Sequence, residues 1–427
     1  MRVPEEAPRE RSRGALDWDA IKWWVLPLIT ALVGVTVLFM SACDDDDGPT
    51  GPEELDPTLV AQGKTIFRFD TFGDETFWTD TLRLHEVIRT SVSPRTALSV
   101  GLKVDADTLP PQVKADLQAN RINLDDPAVT VTLLKLGAVV GVIGQVDANN
   151  NLTRVGVTCA ICHSTVDNSF SAGIGSRLDG WPNRDLNPGA IIALSPALTA
   201  AQKAVYNSWG AGMYDPRFNF DGKNQPVVIP PAFGLRNVRV ELYTGDDTIS
   251  YWNAYVAITQ MHGHGRFVDP RVNVNVNNTP PDLVTTDKLR ALRHYQFSLE
   301  KPGPAPGLDA AAVERGRAVF NGAGQCSTCH TGSIFSDIND GRLHAPSEVA
   351  SEPEPNGAPS YALRSVTKMY RTTPLRGLFR EPQLRGPYFH NGIAATLEAV
   401  VDRYNTKRNL NLTSQQKADL VQFLKSL

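Results

Sequence analysis

Cysteine is scarce in these 427 residues, with five in all. Four fall in two short motifs and the fifth is Cys43. No pair remains for a disulfide, which excludes a disulfide-stapled scaffold. Methionine is as rare: beyond residue 42 there are only Met213, Met261 and Met369, so each soft sulfur donor can be weighed singly. Glutamate is absent from the whole stretch 164–240, which removes the commonest carboxylic acid for proton transfer from that region. Positive charge is not in excess. The 42 Lys and Arg stand against 46 Asp and Glu, a net charge of −4, and nothing points to a nucleic-acid partner. One apolar run of membrane length occurs, from Trp23 to Ala42.

What the chain does contain is Cys159-Ala160-Ile161-Cys162-His163, and again Cys326-Ser327-Thr328-Cys329-His330. Cys-x-x-Cys-His is the attachment spacing of a c-type haem. Each thiol adds to one vinyl group of the porphyrin, and the adjacent histidine then lies under the ring as proximal ligand. A zinc half-site or a redox dithiol uses similar cysteine spacing. However, the two pairs are 167 residues apart, and neither alternative calls for a following histidine twice. Two covalently held haem c groups are expected, with Cys159, Cys162, Cys326 and Cys329 as attachment points and His163 and His330 as proximal ligands.

The N-terminus reads as an export signal or anchor, residues 1–42. Arg2, Arg9, Arg11, Arg13 and Lys22 precede the apolar run, and Met40-Ser41-Ala42-Cys43 resembles a bacterial lipobox. The expectation is a protein on the periplasmic side of a bacterial membrane. It would be held by lipidated Cys43 or by an uncleaved N-terminal helix. Removing residues 1–42 takes away five charges of each sign and leaves the net charge at −4. Residues 43–54, with Asp44–Asp47 and several Pro and Gly, read as an acidic tether.

An internal repeat emerges with the two motifs as anchors. Leu55-Asp56-x-x-x-Val60-x-x-Gly63-x-x-x-Phe67 matches Leu308-Asp309-x-x-x-Val313-x-x-Gly316-x-x-x-Phe320 without a gap. The motif starts 6 residues after Phe320 but 92 after Phe67, so the first copy carries an insertion at about 68–157. Pro231-Ala232-Phe233-Gly234-Leu235 echoes Pro374-Leu375-Arg376-Gly377-Leu378, and Tyr243 to Thr248 echoes Tyr388 to Thr396. The expected architecture is mainly α, with two tandem cytochrome c-like haem domains. The first spans 55–300 with a large mixed α/β insertion. A Pro/Gly linker at 301–307 leads to the second, 308–427.

Within the insertion, Leu82, Leu84, Val87 and Ile88 carry helical spacing. Val139–Val146 and Leu152–Val157, around Asp147-Ala148-Asn149-Asn150-Asn151, predict a hairpin leading into Cys159. Helices are expected at Ser195–Trp209, Thr248–Met261, Thr285–Leu299, 309–321, 395–405 and 413–426. The stretch 331–373 shows little regular pattern.

Thr373-Pro374-Leu375-Arg376, Gly386-Pro387-Tyr388-Phe389-His390-Asn391-Gly392 and Thr396-Leu397-Glu398-Ala399-Val400-Val401 resemble the C-terminal domain of bacterial dihaem cytochrome c peroxidases and their MauG-type relatives. The resemblance covers 308–427 well, 160–300 loosely and 68–157 not at all. It implies electron entry at a six-coordinate C-terminal haem and peroxide-type chemistry at the N-terminal haem. The implied partner is a small electron-donor protein, a cytochrome or a cupredoxin. The peroxidase methionine, fourteen residues after the histidine of Tyr-Phe-His, is here Tyr404. A tyrosine there resembles MauG, and phenolate would lower the reduction potential. Packing at a helix end is the alternative for Tyr404, and Met369 is the rival ligand. His390 is a supporting residue near that haem.

The first haem departs from the pattern. The family's distal histidine, sixteen residues after the proximal one, is Asp179, and its glutamate has no counterpart in 164–240. His85 and Glu86, or Asp179 and Asp185, are substitutes on offer. Gln260-Met261-His262-Gly263-His264 supplies Met261, His262 and His264 as distal candidates, and His85 is a fourth. Trp181, Trp209 and Trp252 are relay candidates. The family's Ca2+ site is in doubt, because Arg385 stands where the pattern has threonine. An enzyme is favoured. A non-enzymatic dihaem electron carrier, or a dihaem oxygenase whose insertion covers an apolar substrate, remains the alternative.

Overall fold

The computed structural model describes residues 54–427, and helices make up most of their regular structure. The helices that position the sites are α1 (Pro57–Phe69), α2 (Leu84–Ser91), α3 (Pro127–Lys135), α4 (Pro188–Ala193), α5 (Ala200–Asn207), α6 (Ile249–Tyr255), α7 (Thr286–Ser298), α8 (Ala310–Asn321), α9 (Leu397–Lys407) and α10 (Ser414–Lys425). Among the described residues no helix is long and apolar enough to cross a membrane. The apolar run, Cys43 and the acidic residues to Asp47 lie outside the described residues.

The repeated pattern builds the same helix pair twice. Asp56 caps α1 by accepting from the N–H groups of Thr58 and Leu59; Asp309 caps α8 through Ala311 and Ala312. Gly63 lets α1 touch α7, since a Cβ there would lie 2.0 Å from the Ala291 carbonyl oxygen. Gly316 does the same for α8 on α10, with a Cβ 2.0 Å from the Asp419 carbonyl oxygen. One turn on, Phe67 meets Tyr295 edge-on at 5.5 Å, and Phe320 meets Phe423 at 5.1 Å. Burying each phenylalanine contributes roughly 1.5–3 kcal/mol.

The insertion carries its own core of Leu82, Leu84, Val131, Leu134, Val142, Leu152 and Val155. Its strands β1 (Val142–Val146) and β2 (Leu152–Val157) form the expected antiparallel hairpin, with Val142 opposite Val157. Asp147 turns the loop by accepting from the N–H groups of Asn149 and Asn151. The hairpin is fused to the first motif: the Thr158 N–H donates to the Gly141 carbonyl, and Gly141 lies directly beneath Ile161.

Some boundaries differ from expectation. The helix expected from Ser195 starts at Ala200, because Thr199 and Gln202 form the capping box. Ser195 instead donates to the Leu82 carbonyl, tying this segment to the insertion. α4 was not anticipated, although Asn187-Pro188 is a cap followed by proline at the first helical position. α6 ends at Tyr255 and widens into a π-helical turn over Val256–Gln260.

The irregular stretch 331–373 folds back as a clasp on the segment 215–246. Arg364 holds Asp215 through one guanidinium nitrogen at 2.9 Å and Asp221 through another at 2.7 Å. Arg217 pairs with Asp246 at 2.7 Å, and Thr367 donates to the Thr244 carbonyl. Side chains with no helical or strand period are thus fixed by buried charge.

Candidate haem sites

Each Cys-x-x-Cys-His motif opens onto its own cavity. The first measures about 270 Å³ and the second about 300 Å³. Cys159, Cys162 and His163 line the first; Cys326, Cys329 and His330 line the second. His163 Nδ1 lies 3.1 Å from the Pro230 carbonyl oxygen, and His330 Nδ1 lies 2.8 Å from that of Phe335. A carbonyl only accepts, so Nδ1 carries the proton and Nε2 keeps its lone pair. Burial pushes both imidazoles down to about 4, so each is neutral at physiological pH. This is the second-sphere arrangement that orients a histidine for iron.

Burial raises the Cys159 and Cys162 thiols to about 12 and Cys326 to about 11. Such thiols are poor thiolates, which argues against a redox dithiol. Among the described residues the one group of three His, Cys, Asp or Glu donors within 4.8 Å is Cys329, Asp337 and His344, so the two cysteine pairs do not converge on one ion. The walls also hold polar atoms without partners: Arg184 Nη1, Arg371 Nε, Glu241 Oε1 and Trp252 Nε1. Buried guanidinium nitrogens beside an apolar slot suit a flat apolar group with carboxylate arms. The residues present fit a haem in each cavity.

The insertion supplies part of the first cavity's wall. Trp78, Leu84, Val87, Ile88, Val142 and Val155 all face it. Of the four distal candidates, Met261 alone is on its wall. The Trp78 indole N–H is shared between Asp74 Oδ2 and the Met261 carbonyl, each at 3.1 Å, so the insertion holds Met261 in place. His262 stacks on Phe77 at 3.6 Å, away from the cavity. His264 lies against Gly73, and His85 is off the wall although its helix neighbours line it. Gln260 faces the cavity beside Met261, fixed by the Tyr214 hydroxyl donating to its Oε1 at 2.8 Å.

The substitute acids fall elsewhere. Asp179 accepts from Arg68, Ser164 and Tyr295 and ties α1 to α7. Asp185 pairs with Lys103, and Glu86 with Arg83 at the surface. None of the three lines the first cavity. Its one carboxylate is Glu241, the residue that follows the glutamate-free stretch.

In the second cavity Tyr404 is on the wall, and burial raises its phenol to about 12. Met369 is not on that wall. His390 is, and its Nε2 lies 2.5 Å from Glu354 Oε1 while its ring stacks on Tyr370 at 4.9 Å. The Tyr370 hydroxyl donates in turn to Glu352 at 2.9 Å. Of the tryptophans, Trp252 faces the first cavity, Trp209 packs among Tyr206, Tyr214 and Phe218, and Trp181 packs on Phe233. The aromatic on the wall common to both cavities is Tyr243, with Glu241 and Arg371 beside it. Tyr243 had surfaced only as part of the repeat, and nothing in its spacing marked it as lying between the motifs.

No protein-family model matches the chain. It is 32% identical over 311 residues to cytochrome-c peroxidase IdrP2 of Pseudomonas sp. (strain SCT), covering 64% of this chain and 76% of that protein. It is 30% identical over 189 residues to cytochrome-c peroxidase IdrP1 of the same strain, covering 33% and 49%. It is 33% identical over 133 residues to the methylamine utilization protein MauG of Methylorubrum extorquens, covering 27% and 35%. The chain spans about half the length of IdrP1.

Proposed function

This chain belongs to the dihaem cytochrome c peroxidase and MauG superfamily, with haem c as its cofactor, and from that premise we propose an exported oxidoreductase with one haem in each cavity. The observation that carries the reading is the paired one: at each motif two thiols and a histidine with a carbonyl-bound Nδ1 share one cavity wall. When bound, haem supplies one-electron transfer and the reduction of peroxide.

The residues divide the remaining work. His163 and His330 present Nε2 to iron. The aliphatic wall of the first cavity keeps water out, and Met261 offers a sulfur donor there. The Gln260 carboxamide is held in place by donating to Asn219 and Thr259 and accepting from Tyr214, and it has no proton to release at neutral pH. At the second cavity Tyr404, on the wall, would bind iron as a phenolate. His390, Glu354 and Tyr370 form a buried hydrogen-bonded set able to hold and move a proton. Electron entry at the C-terminal site from a small redox protein, and tethering through Cys43 or an uncleaved helix, complete the reading on the sequence alone.

A second reading, a non-enzymatic electron carrier, draws support from Met261 and from the absence of any carboxylate but Glu241 on the first wall. The experiment is a resting-state absorption and EPR spectrum of the exported holoprotein, followed by addition of hydrogen peroxide. A high-spin ferric component that changes with peroxide supports the enzyme. Two low-spin haems inert to peroxide leave the carrier, and a single haem by mass overturns the two-haem reading.

A further inference from the structure

Both cavities share a wall, and Glu241 is the one carboxylate on it. Pro230, Pro231, Leu235, Leu242, Tyr243 and Arg371 make up the rest. Glu241 is 4% exposed. Its Oε2 lies 3.0 Å from an Arg371 nitrogen, while Oε1 is buried without any partner. Arg371 in turn keeps a buried Nε without a partner, and Arg184, on the second cavity's wall, keeps an Nη1.

A buried carboxylate oxygen left without a donor carries a desolvation cost that a bound proton relieves. Burial raises the Glu241 carboxyl above its ordinary range, with Arg371 and then Arg376 opposing the shift. These two arginines are the charged groups that act on it, and Arg184 and the Tyr243 phenol line the same region. A second negative charge next to this wall would leave the carboxylate still less favourable. An electron arriving on either side supplies such a charge.

Resting on the two-haem reading, we propose that Glu241 is the positioning residue that couples the two sites to one proton. When a one-electron reductant, such as a small redox protein or dithionite, reduces a ferric iron, a proton from solvent binds Oε1 of Glu241. On reoxidation the electron leaves and the same proton returns to solvent. Because the carboxyl borders both cavities, its protonation biases both irons, and the two sites titrate as an interacting pair.

The test is potentiometric titration of the holoprotein, followed by visible absorption, from about pH 5 to about pH 9. In the wild type the midpoints fall as pH rises. The ceiling is a tenfold change in the reduction equilibrium per pH unit, or 59 mV for one electron. Glu241→Gln keeps the shape and loses the titration, so its slope drops to less than about half of the wild-type slope. Glu241→Asp retains it. If Glu241→Gln does not load haem, the double variant Glu241→Gln/Arg371→Gln, which also removes the unpaired cation, carries the test. An unchanged slope in either loaded glutamine variant overturns the proposal. Haem mass on the same samples reports separately on the two-haem reading.

Discussion

The two cavities share a motif, a proximal histidine geometry and nearly the same size, yet their walls differ. The first is mostly aliphatic, takes part of its wall from the insertion, and has Met261 and the neutral Gln260 on it apart from the wall it shares with the second. The second carries Arg184, Arg376, Arg408, His390 and Tyr404. The motif is thus local and repeated, while the wall around it is assembled from distant segments. Axial donor, burial and hydrogen bonds to the ligands set haem reactivity, and the side chains on offer for the first and last of these differ between the two walls.

The largest effect tests the shared half of the comparison. Replacing both cysteines of one motif, Cys159 and Cys162 or Cys326 and Cys329, by Ala should remove one haem and leave the other. Haem-stained mass after export reads the outcome, and loss of both haems would show that the two sites do not load independently.

Next is the clasp, whose stretch gives His344, Tyr370 and Arg371 to the second wall. Arg364→Ala leaves Asp215 buried without its partner and should cost about 3–5 kcal/mol, read as a fall in Tm of the holoprotein. A change below about 1 kcal/mol would mean the clasp is held by its other contacts.

The axial donors separate the cavities spectroscopically. Met261→Leu preserves volume at a cost under about 1.5 kcal/mol but removes the sulfur. It should convert a low-spin signal to high-spin at one haem only. Tyr404→Phe should raise the potential of the other haem more than that of the first. An overlaid redox titration would reduce Tyr404 to packing, and the contrast between the cavities would then rest on their arginines and His390.

A further contrast concerns Asp74, which is fully buried and raised to about 9 by burial. A carboxyl raised in the folded state contributes stability fully below its unfolded value and loses it as pH rises through the folded one. Tm should therefore decline from about pH 5 to about pH 9, and Asp74→Asn should flatten that decline. A profile unaltered by the substitution would indicate that Asp74 is ionised and held by the Val157 and Trp78 N–H groups.

Some features were legible because short-range chemistry writes them. Cys-x-x-Cys-His must be contiguous, since two thioethers and one ligand meet a single ring. Asp56, Gly63 and Phe67 recur as Asp309, Gly316 and Phe320 because a cap, a close helix contact and a core aromatic each sit one or two turns apart. The hairpin of the insertion likewise announced itself through Asp147 and its asparagines. The choice among Met261, His262 and His264 was not legible, because adjacent residues at a helix end point in different directions and the turn after Tyr255 is π-helical. Nor was Glu241 at the shared wall, or Arg364 on Asp215, since each depends on residues more than a hundred positions apart. The sequence by itself determined two Cys-x-x-Cys-His motifs and the helix pairs near them, through spacings of a few residues. Which side chains face each cavity, and what joins the two cavities, was decided only by the tertiary packing of the loop 331–373, the insertion and the segments between them, because buried ion pairs and cavity walls are long-range contacts without a periodic trace.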